Sequence, residues 1–291
     1  MQIQTAAIIK QIVSSLFAAV ASMLLKIVSD LDFNQTLYLR AFIGLILLAS
    51  ASIYYKLQVY NFDKQTMDSL INRGIIGGFG AFIYFKGLNL VLVSESILLN
   101  RMSPLWTSII YIIVLQKEQF NRRLLINMTL SGLGIFLIAK NNNQTQITVD
   151  SYYHWIGIIL ILVASITQAI VNILVKSVNK QVDSIVITLY QAFFAINLPV
   201  INSLFDGTNF KIPSFNGTFM IVIASVISLL AGILQVQSMR EGKLSVVSNV
   251  SQIQLFFGYL IDFFVFSAKF NQEQIVGNIL LLCSLIPLIW K

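Results

Sequence analysis

The sequence alternates long apolar stretches with short polar connections over its whole length. A stretch of about 20 mostly apolar residues is long enough to cross the hydrocarbon core of a bilayer as a helix. Such stretches fall at 6–28, 33–55, 70–91, 94–115, 122–140, 153–175, 184–204, 217–239, 244–266 and 274–290. The pattern predicts an all-α membrane protein with ten transmembrane helices. Because the connections are too short to hold a soluble domain, we expect the function to lie within or between the helices.

The two halves of the chain resemble each other at a separation of about 150 residues, a weak internal symmetry of the kind seen in many transporters. The matching positions are Ser15 with Ser165, Ser22 with Asn172, Lys26 with Lys176, and Arg40-Ala41-Phe42 with Gln191-Ala192-Phe193. Five helices are an odd number, so two consecutive copies must cross the membrane in opposite directions. We therefore predict two five-helix inverted repeats, at 1–141 and 152–291, joined by a polar linker at 142–151.

Composition and charge support a membrane protein. The chain is 57% hydrophobic and only 11% charged, and its net charge of +7 is spread among the predicted helix ends. Nucleic-acid binding needs a basic stripe, which is missing, so we expect no nucleic-acid partner.

The distribution of basic residues predicts the orientation in the membrane. With a cytoplasmic amino terminus, 12 of the 19 Lys and Arg residues lie on the cytoplasmic side. Because basic residues accumulate on that side, we predict that both termini are cytoplasmic. The choice between plasma membrane and endomembrane stays open.

Several short motifs follow one another in a fixed order along the first half. They are Leu39-Arg40-Ala41-Phe42, the glycine-rich run from Arg73 to Gly78, Met102-Ser103-Pro104-Leu105-Trp106, the run from Leu115 to Phe120, and Gly132-Leu133-Gly134-Ile135. In this order they resemble the drug/metabolite transporter superfamily, specifically its ten-helix EamA type. The second half departs from the pattern, with Ala268 in place of a signature Glu. The resemblance implies a transporter of metabolites or nucleotide sugars, or an exporter of amino acids or drugs.

Polar side chains recur at helical spacing on the first, fourth, sixth and ninth predicted helices. Residues three, four or seven apart share one face of a helix. Because polar groups are costly inside a bilayer, we predict that these faces enclose a wet central cavity. The predicted solute-binding residues are Ser22, Lys26, Asn100, Ser103, Gln168, Asn172, Gln191, Asn249 and Gln252. The alternative is that these side chains hydrogen-bond neighbouring helices together, and for any single serine or threonine the pattern favours that alternative.

Three ionisable residues close to the predicted spans are candidates for a gate or for solute charge recognition: Arg40, Glu95 and Arg101. The functional interpretation is a cavity or vestibule that attracts phosphate or carboxylate groups. The alternative is that the arginines extend from helix ends to the membrane interface. Glu95 either pairs with an arginine or relays a proton, and the sequence leaves both roles open.

The sequence predicts a secondary membrane transporter that moves a small polar organic solute by alternating access. The solute is a metabolite, such as an anionic nucleotide sugar, phosphate or carboxylate compound, or an amino acid. The alternative is a transporter-derived structural subunit or scaffold of a membrane complex without transport activity, which the replacement at Ala268 favours.

Metal-hydrolase and nucleophile motifs are missing, and the only histidine, His154, lies at a predicted helix start. We therefore expect no enzymatic activity, no cofactor and no bound metal. The expected partners are the solute and the lipid bilayer, and a homodimer or a membrane-complex partner stays open.

Overall fold

The fold is helical throughout the part of the chain that the computed structural model describes, residues 2–27, 33–88, 90–91, 99–119, 121–140, 151–197, 200–201, 213–267 and 270–289. No strand occurs in these ranges. The helices are α1 Gln2–Ile27, α2 Phe33–Tyr54, α3 Lys64–Leu88, α4 Ser103–Ile109, α5 Arg122–Lys140, α6 Ser151–Ser177, α7 Ser184–Ala195, α8 Phe215–Glu241, α9 Leu244–Val250, α10 Ile253–Phe264 and α11 Gln272–Ile289. A π-helical turn, Ile110–Val114, continues α4.

Within these described ranges, four helical segments are long and apolar enough to cross a membrane: Ile3–Leu25, Tyr153–Ser177, Phe215–Glu241 and Leu244–Phe264. Three shorter apolar segments are Tyr38–Tyr54, Ser103–Val114 and Ser184–Ala195. The all-α class is confirmed, whereas the count of ten spans stays a prediction. The ninth predicted span consists of α9 and α10, which a turn at Ser251 and Gln252 separates.

Two predicted features lie partly or wholly outside the described residues. The predicted linker falls almost entirely in 141–150, which the structure does not describe, and α6 begins at Ser151. Glu95 also lies outside the described part of the chain.

The helices of one half pack against those of the other half in matching pairs. Helix α1 packs along α8, and α3 packs along α6. In the internal repeat, α1 corresponds to α6, and α3 corresponds to α8. The pair α1 and α8 in one half-to-half contact therefore corresponds to the pair α6 and α3 in the other. In the same way α2 packs on α7, α4 on α9 and α5 on α11. This exchange is the packing expected of an inverted repeat with a pseudo-two-fold axis.

Glycines on α3 allow it to approach α6 and α7 closely. A Cβ atom at Gly74 would overlap the ring of Phe194, and one at Gly80 would overlap the side chain of Thr167. Small residues at helix contacts let backbones come together where lipid gives no hydrophobic driving force. The glycine cluster of the third span is therefore explained by packing.

An apolar cluster closes one end of the bundle, where α1 and α3 begin and α6 and α8 end. Its buried members include Ala7, Leu70, Val175, Met239 and Leu244. We refer to this region as the closed end. The Tyr190 hydroxyl on α7 donates to the Val59 carbonyl oxygen over 2.9 Å, which ties the connection between α2 and α3 to the same cluster.

Candidate functional site

A cavity of about 520 Å³ lies among α1, α2, α3, α6, α7, α8 and α10, and Asn100, just before α4, also lines it. Several helices contribute residues both to the cavity and to the apolar cluster. Along each of these helices, the cavity residues come from one stretch and the cluster residues from the neighbouring stretch towards the closed end. On α1 the cavity contacts Ala18 and Ser22, whereas Ala7 belongs to the closed end. On α8 it contacts residues up to Gln235, and Val236 and Met239 belong to the closed end. The closed end therefore forms a plug at one side of the cavity.

Small residues from both halves create the space. Gly44, Gly77, Gly80 and Gly232 line the cavity, together with seven of the described alanines. Gly77 faces Val171 and Gly232 faces Thr188 at ordinary contact distance, so neither position is crowded. The walls are formed by backbone and methyl groups, and longer polar side chains project between them.

The structure brings five of the sequence-predicted residues together at this cavity. They are Ser22, Arg40, Asn100, Gln168 and Gln191. Among the described residues, no hydrogen bond or ion pair joins the guanidinium of Arg40 to the protein. A solute anion is the kind of partner that such a guanidinium is suited to bind. The role of these five residues in solute binding stays a prediction.

Asn172 and Ser103 lie behind the cavity wall instead of lining it. Asn172 is buried, donates to Thr107 Oγ1 over 3.3 Å, and accepts from Gln168 Nε2 over 3.2 Å. The Ser103 carbonyl oxygen accepts from the Thr107 hydroxyl over 2.8 Å. The bond between Asn172 and Thr107 joins α6 to α4 and agrees with the helix-bonding alternative, while Gln168 connects Asn172 to the cavity.

Asn249 and Gln252 are also buried away from the cavity. Asn249 Nδ2 donates to Ser108 Oγ and to the Ser245 carbonyl oxygen, each over 2.7 Å. Gln252 is 1% exposed, and neither polar atom of its amide has a partner within the described residues. Lys26 lies near the end of α1, and its side chain falls outside the described part of the chain.

Several cavity residues had not been singled out from the sequence. They are Tyr84, Thr188, Ser225, Ser228, Gln235 and Gln254. Ser225, Ser228 and Gln235 lie three and seven residues apart on α8, which is the same-face spacing used for the other helices. That spacing was available in the sequence. Gln254 lies within the ninth predicted span but off the polar face predicted for it, so the same-face spacing gave no signal for this residue.

Two arginines contact glutamines of the cavity. Arg73 is 4% exposed and donates to the Ile187 carbonyl oxygen over 2.6 Å and to Gln191 Oε1 over 2.7 Å. Arg101 donates to Gln254 Oε1 over 3.1 Å. The gate candidate Arg101 therefore lies next to the cavity and is attached to one of its lining residues.

Hydrogen bonds to helix ends hold the closed end together. The carboxylate of Glu118 accepts from the Leu244 N–H over 2.8 Å and from the Ser245 hydroxyl, and so caps the start of α9. Lys176 Nζ donates to the carbonyl oxygens of Arg240 and Gly242, over 2.9 and 2.6 Å. These groups satisfy donors and acceptors that a helix terminus leaves unpaired. The Glu118 bonds link the first half to the second at the closed end, and the Lys176 bonds join α6 to the end of α8 within the second half.

Two further contacts at the closed end join α1 to α8. Lys10 Nζ and Glu241 Oε1 form an ion pair at 2.5 Å. The Ser238 hydroxyl donates to the Ala7 carbonyl oxygen over 2.7 Å. The plug is thus held by polar bonds at its edge as well as by the apolar cluster.

No group of three or more His, Cys, Asp and Glu side chains with the arrangement of a metal site occurs within the described ranges.

The sequence matches the model of the EamA-like transporter family over residues 5–140 and 155–290, so the match covers both predicted repeats. One crystal structure superimposes on this fold with a TM-score of 0.80, over 98% of this chain and 96% of the other, at 12% sequence identity. At that identity the likeness concerns the fold alone. A comparison with the curated proteins found no match.

Proposed function

Because this chain belongs to the EamA-like transporter family of the drug/metabolite transporter superfamily, we propose that it moves a small polar organic solute by alternating access. The family and the apolar helices make the chain an integral membrane protein and a transporter. The observation that supports solute passage is the polar cavity between the two halves, plugged on one side by the closed end.

The cavity supports a solute of metabolite size that carries negative charge. Its volume of about 520 Å³ lies within the range of roughly 300–1,000 Å³ of small-molecule sites. Arg40 is the charged residue among its lining residues, and no carboxylate lines it within the described part. An unpaired charge is costly in a membrane interior, and a solute anion compensates it.

The exchange of helix pairs supports the alternating-access part of the proposal. Since each half packs on the other through corresponding helices, rocking one half against the other can close one side of the cavity as it opens the opposite side. If both termini are cytoplasmic, as the sequence predicts, the closed end faces the cytoplasm, and we propose that its plug belongs to an outward-open state.

Thiol labelling of α8 tests the state and the cavity together. Cys283, the only cysteine of the chain, is first replaced by serine. Ser228→Cys then places a thiol in the cavity, and Ser238→Cys places one in the closed end on the same helix. A small membrane-impermeant thiol reagent is expected to modify the first variant much faster than the second. Equal rates would contradict a cavity plugged at this end.

Uptake into proteoliposomes tests transport directly. The protein and empty liposomes are compared with labelled phosphate, succinate, glutamate, glucose and choline as probes. Uptake of one or more of the anions, above the level in empty liposomes, supports the proposal. No uptake of any probe, combined with stable copurification of a stoichiometric membrane partner, would instead support the scaffold alternative.

A further inference from the structure

Each of two arginines from the first half holds one glutamine of the cavity wall in a fixed orientation. Arg73 on α3 bonds Gln191 on α7, and Arg101, just before α4, bonds Gln254 on α10. Both glutamines line the cavity, whereas neither arginine does. The same arrangement, a guanidinium behind a cavity amide, thus occurs twice.

The chemistry of the guanidinium decides which end of each amide faces the cavity. Arginine has five N–H donors and no acceptor, so the glutamine atom that contacts it must be the carbonyl oxygen. The NH₂ group of each amide then lies on the side away from the arginine. Within the described residues, neither the Gln191 nor the Gln254 NH₂ group has a hydrogen-bond partner in the protein. Both glutamines therefore present N–H donors to whatever occupies the cavity.

The charges of the two arginines have no acidic partner in the described part of the protein. The one ion pair found there joins Lys10 to Glu241 at the closed end. Buried Arg73 is held by one carbonyl oxygen and one amide oxygen, and its Nε atom has no partner among the described residues. A buried charge without a counter-ion is expensive. An anion bound to the Gln191 amide would lie close to this guanidinium and reduce that cost.

The internal repeat relates the pair Arg73 and Gln191 to Arg40 of the first half. Arg40 and Gln191 occupy corresponding positions of the two halves and both line the cavity. The second half therefore has a neutral glutamine where the first half has an arginine. Arg73 restores a positive charge directly behind that glutamine. Both halves thus contribute donors backed by positive charge.

We propose that Arg73 and Arg101 are positioning residues that orient Gln191 and Gln254 as donors to an oxyanion group of the solute, a carboxylate or a phosphate. The inference rests on the proposed transport function and narrows its substrate class. Oxyanions bring several acceptor oxygens, which match N–H donors from Arg40 and the two amides. A cationic amine would place its own N–H donors and positive charge against these donors and this positive charge, so the site rejects it.

The sharpest test is the isosteric variant Gln191→Glu. The new carboxylate keeps its bond to Arg73 and gains charge, so we expect the fold to be retained. It also replaces the N–H donors that face the cavity with an acceptor oxygen and a negative charge.

Thermal unfolding of the detergent-purified protein is followed with inorganic phosphate, succinate or choline added, since a ligand that binds the folded state raises the unfolding temperature. We expect phosphate or succinate to protect the wild type, and this protection to weaken at least tenfold in apparent affinity in the variant.

A double-mutant cycle tests whether Arg73 acts through Gln191. Arg73→Lys retains the charge but loses the two-pronged contact, and we expect it to weaken anion binding about tenfold to a hundredfold, the effect of a lost bond to a charged group. In the Gln191→Leu background the same change should have no further effect on binding. Arg240→Lys is the control, because Arg240 bridges the carbonyl oxygens of Val182 and Asn179 at the closed end. It should alter stability without altering anion affinity.

The outcomes separate this inference from the transport proposal. Protection by choline but not by phosphate or succinate, unchanged in Gln191→Glu and Gln254→Glu, would overturn the inference and leave transport standing. No protection by either anion would also overturn it. Anion protection that depends on these residues, without uptake of either anion into proteoliposomes, would retain the oxyanion site and overturn transport.

Discussion

Gly134 on α5 and Gly277 on α11 pack backbone against backbone, each occupying the space that a Cβ atom on the other would need. A Cβ at either glycine would lie 2.7 Å from the carbonyl oxygen of the other. Since the two helices come from different halves, this crossing is one of the contacts that hold the halves together. The Asn127 side chain lies in the same pair of helices and donates to the Ser284 carbonyl oxygen over 2.7 Å.

Gly134→Ala should destabilise the protein, because the methyl group meets backbone that cannot rotate away. Overpacking of this kind costs about 1–3 kcal/mol, so we expect the unfolding temperature in detergent to fall by several degrees. Gly132→Ala is the matched control on the same helix, since nothing lies within 4 Å of a Cβ atom there. An equal fall in both variants would show that helix flexibility, and not the crossing, sets the stability.

Glu118→Ala should weaken the closed end. The change removes the acceptor for the Leu244 N–H and the Ser245 hydroxyl at the start of α9. Loss of a helix cap costs about 0.5–2 kcal/mol, and we expect a lower unfolding temperature together with faster thiol labelling of Ser238→Cys. Lys117→Ala, at the exposed neighbouring position, controls for the connection itself. Unchanged labelling would mean that the cap does not contribute to the plug.

The start of α3 should be sensitive to acid through Asp63, which lies in the connection before this helix. Hydrogen bonds from the side chain and then the backbone of Thr66, with the N–H at 3.1 Å, hold the pKa of Asp63 below its usual value of 3.8. A depressed carboxyl pKa contributes stability above the unfolded pKa, and this contribution is lost as the pH falls through the folded pKa. The difference in unfolding temperature between wild type and Asp63→Ala should therefore be full at pH 7 and should shrink as the pH falls below about 4. Asp68→Ala on the exposed face of α3 should show a smaller difference at pH 7, and a difference for Asp63→Ala that does not shrink on acidification would contradict the capping role.

Arg40→Gln should weaken anion binding without destabilising the fold, because the guanidinium has no partner within the described residues. We expect at least a tenfold loss of apparent affinity for phosphate or succinate, and an unfolding temperature close to that of the wild type without ligand. Lys86→Gln removes the same charge from a residue of α3 that does not line the cavity. Equal losses in both variants would indicate a general effect of charge and would contradict direct binding by Arg40.

Asn100→Leu and Asn172→Leu should behave differently, although both were predicted as solute-binding residues. Asn100 lines the cavity, so its replacement should impair solute binding with little change in stability. Replacement of Asn172 removes the donor to Thr107 Oγ1 and the acceptor of Gln168 Nε2, and each lost hydrogen bond costs about 0.5–1.5 kcal/mol. Unfolding temperatures and anion protection, measured for both variants, separate the two roles. Similar effects on both quantities would contradict this division.

Much of the cavity could be anticipated because helical spacing places polar residues on one face. Ser22 and Gln168 follow from that rule, whereas Gln191 was found through its correspondence with Arg40 in the internal repeat. The rule gives the face but not the neighbour, so it could not tell that Asn249 contacts Ser108 while Gln168 contacts the cavity. It also gave no reason to connect Arg73 with Gln191, which are 118 residues apart along the chain.

The sequence by itself determined the membrane class, the two related halves and the transporter family, because apolar length, internal repetition and motif order are properties of the chain. Only the tertiary structure decided which polar faces meet a cavity and which meet another helix, because that depends on the rotation and depth of each helix against its partners. It also decided the orientation of the Gln191 and Gln254 amides, because a side-chain amide turns towards whichever donor or acceptor the fold places beside it.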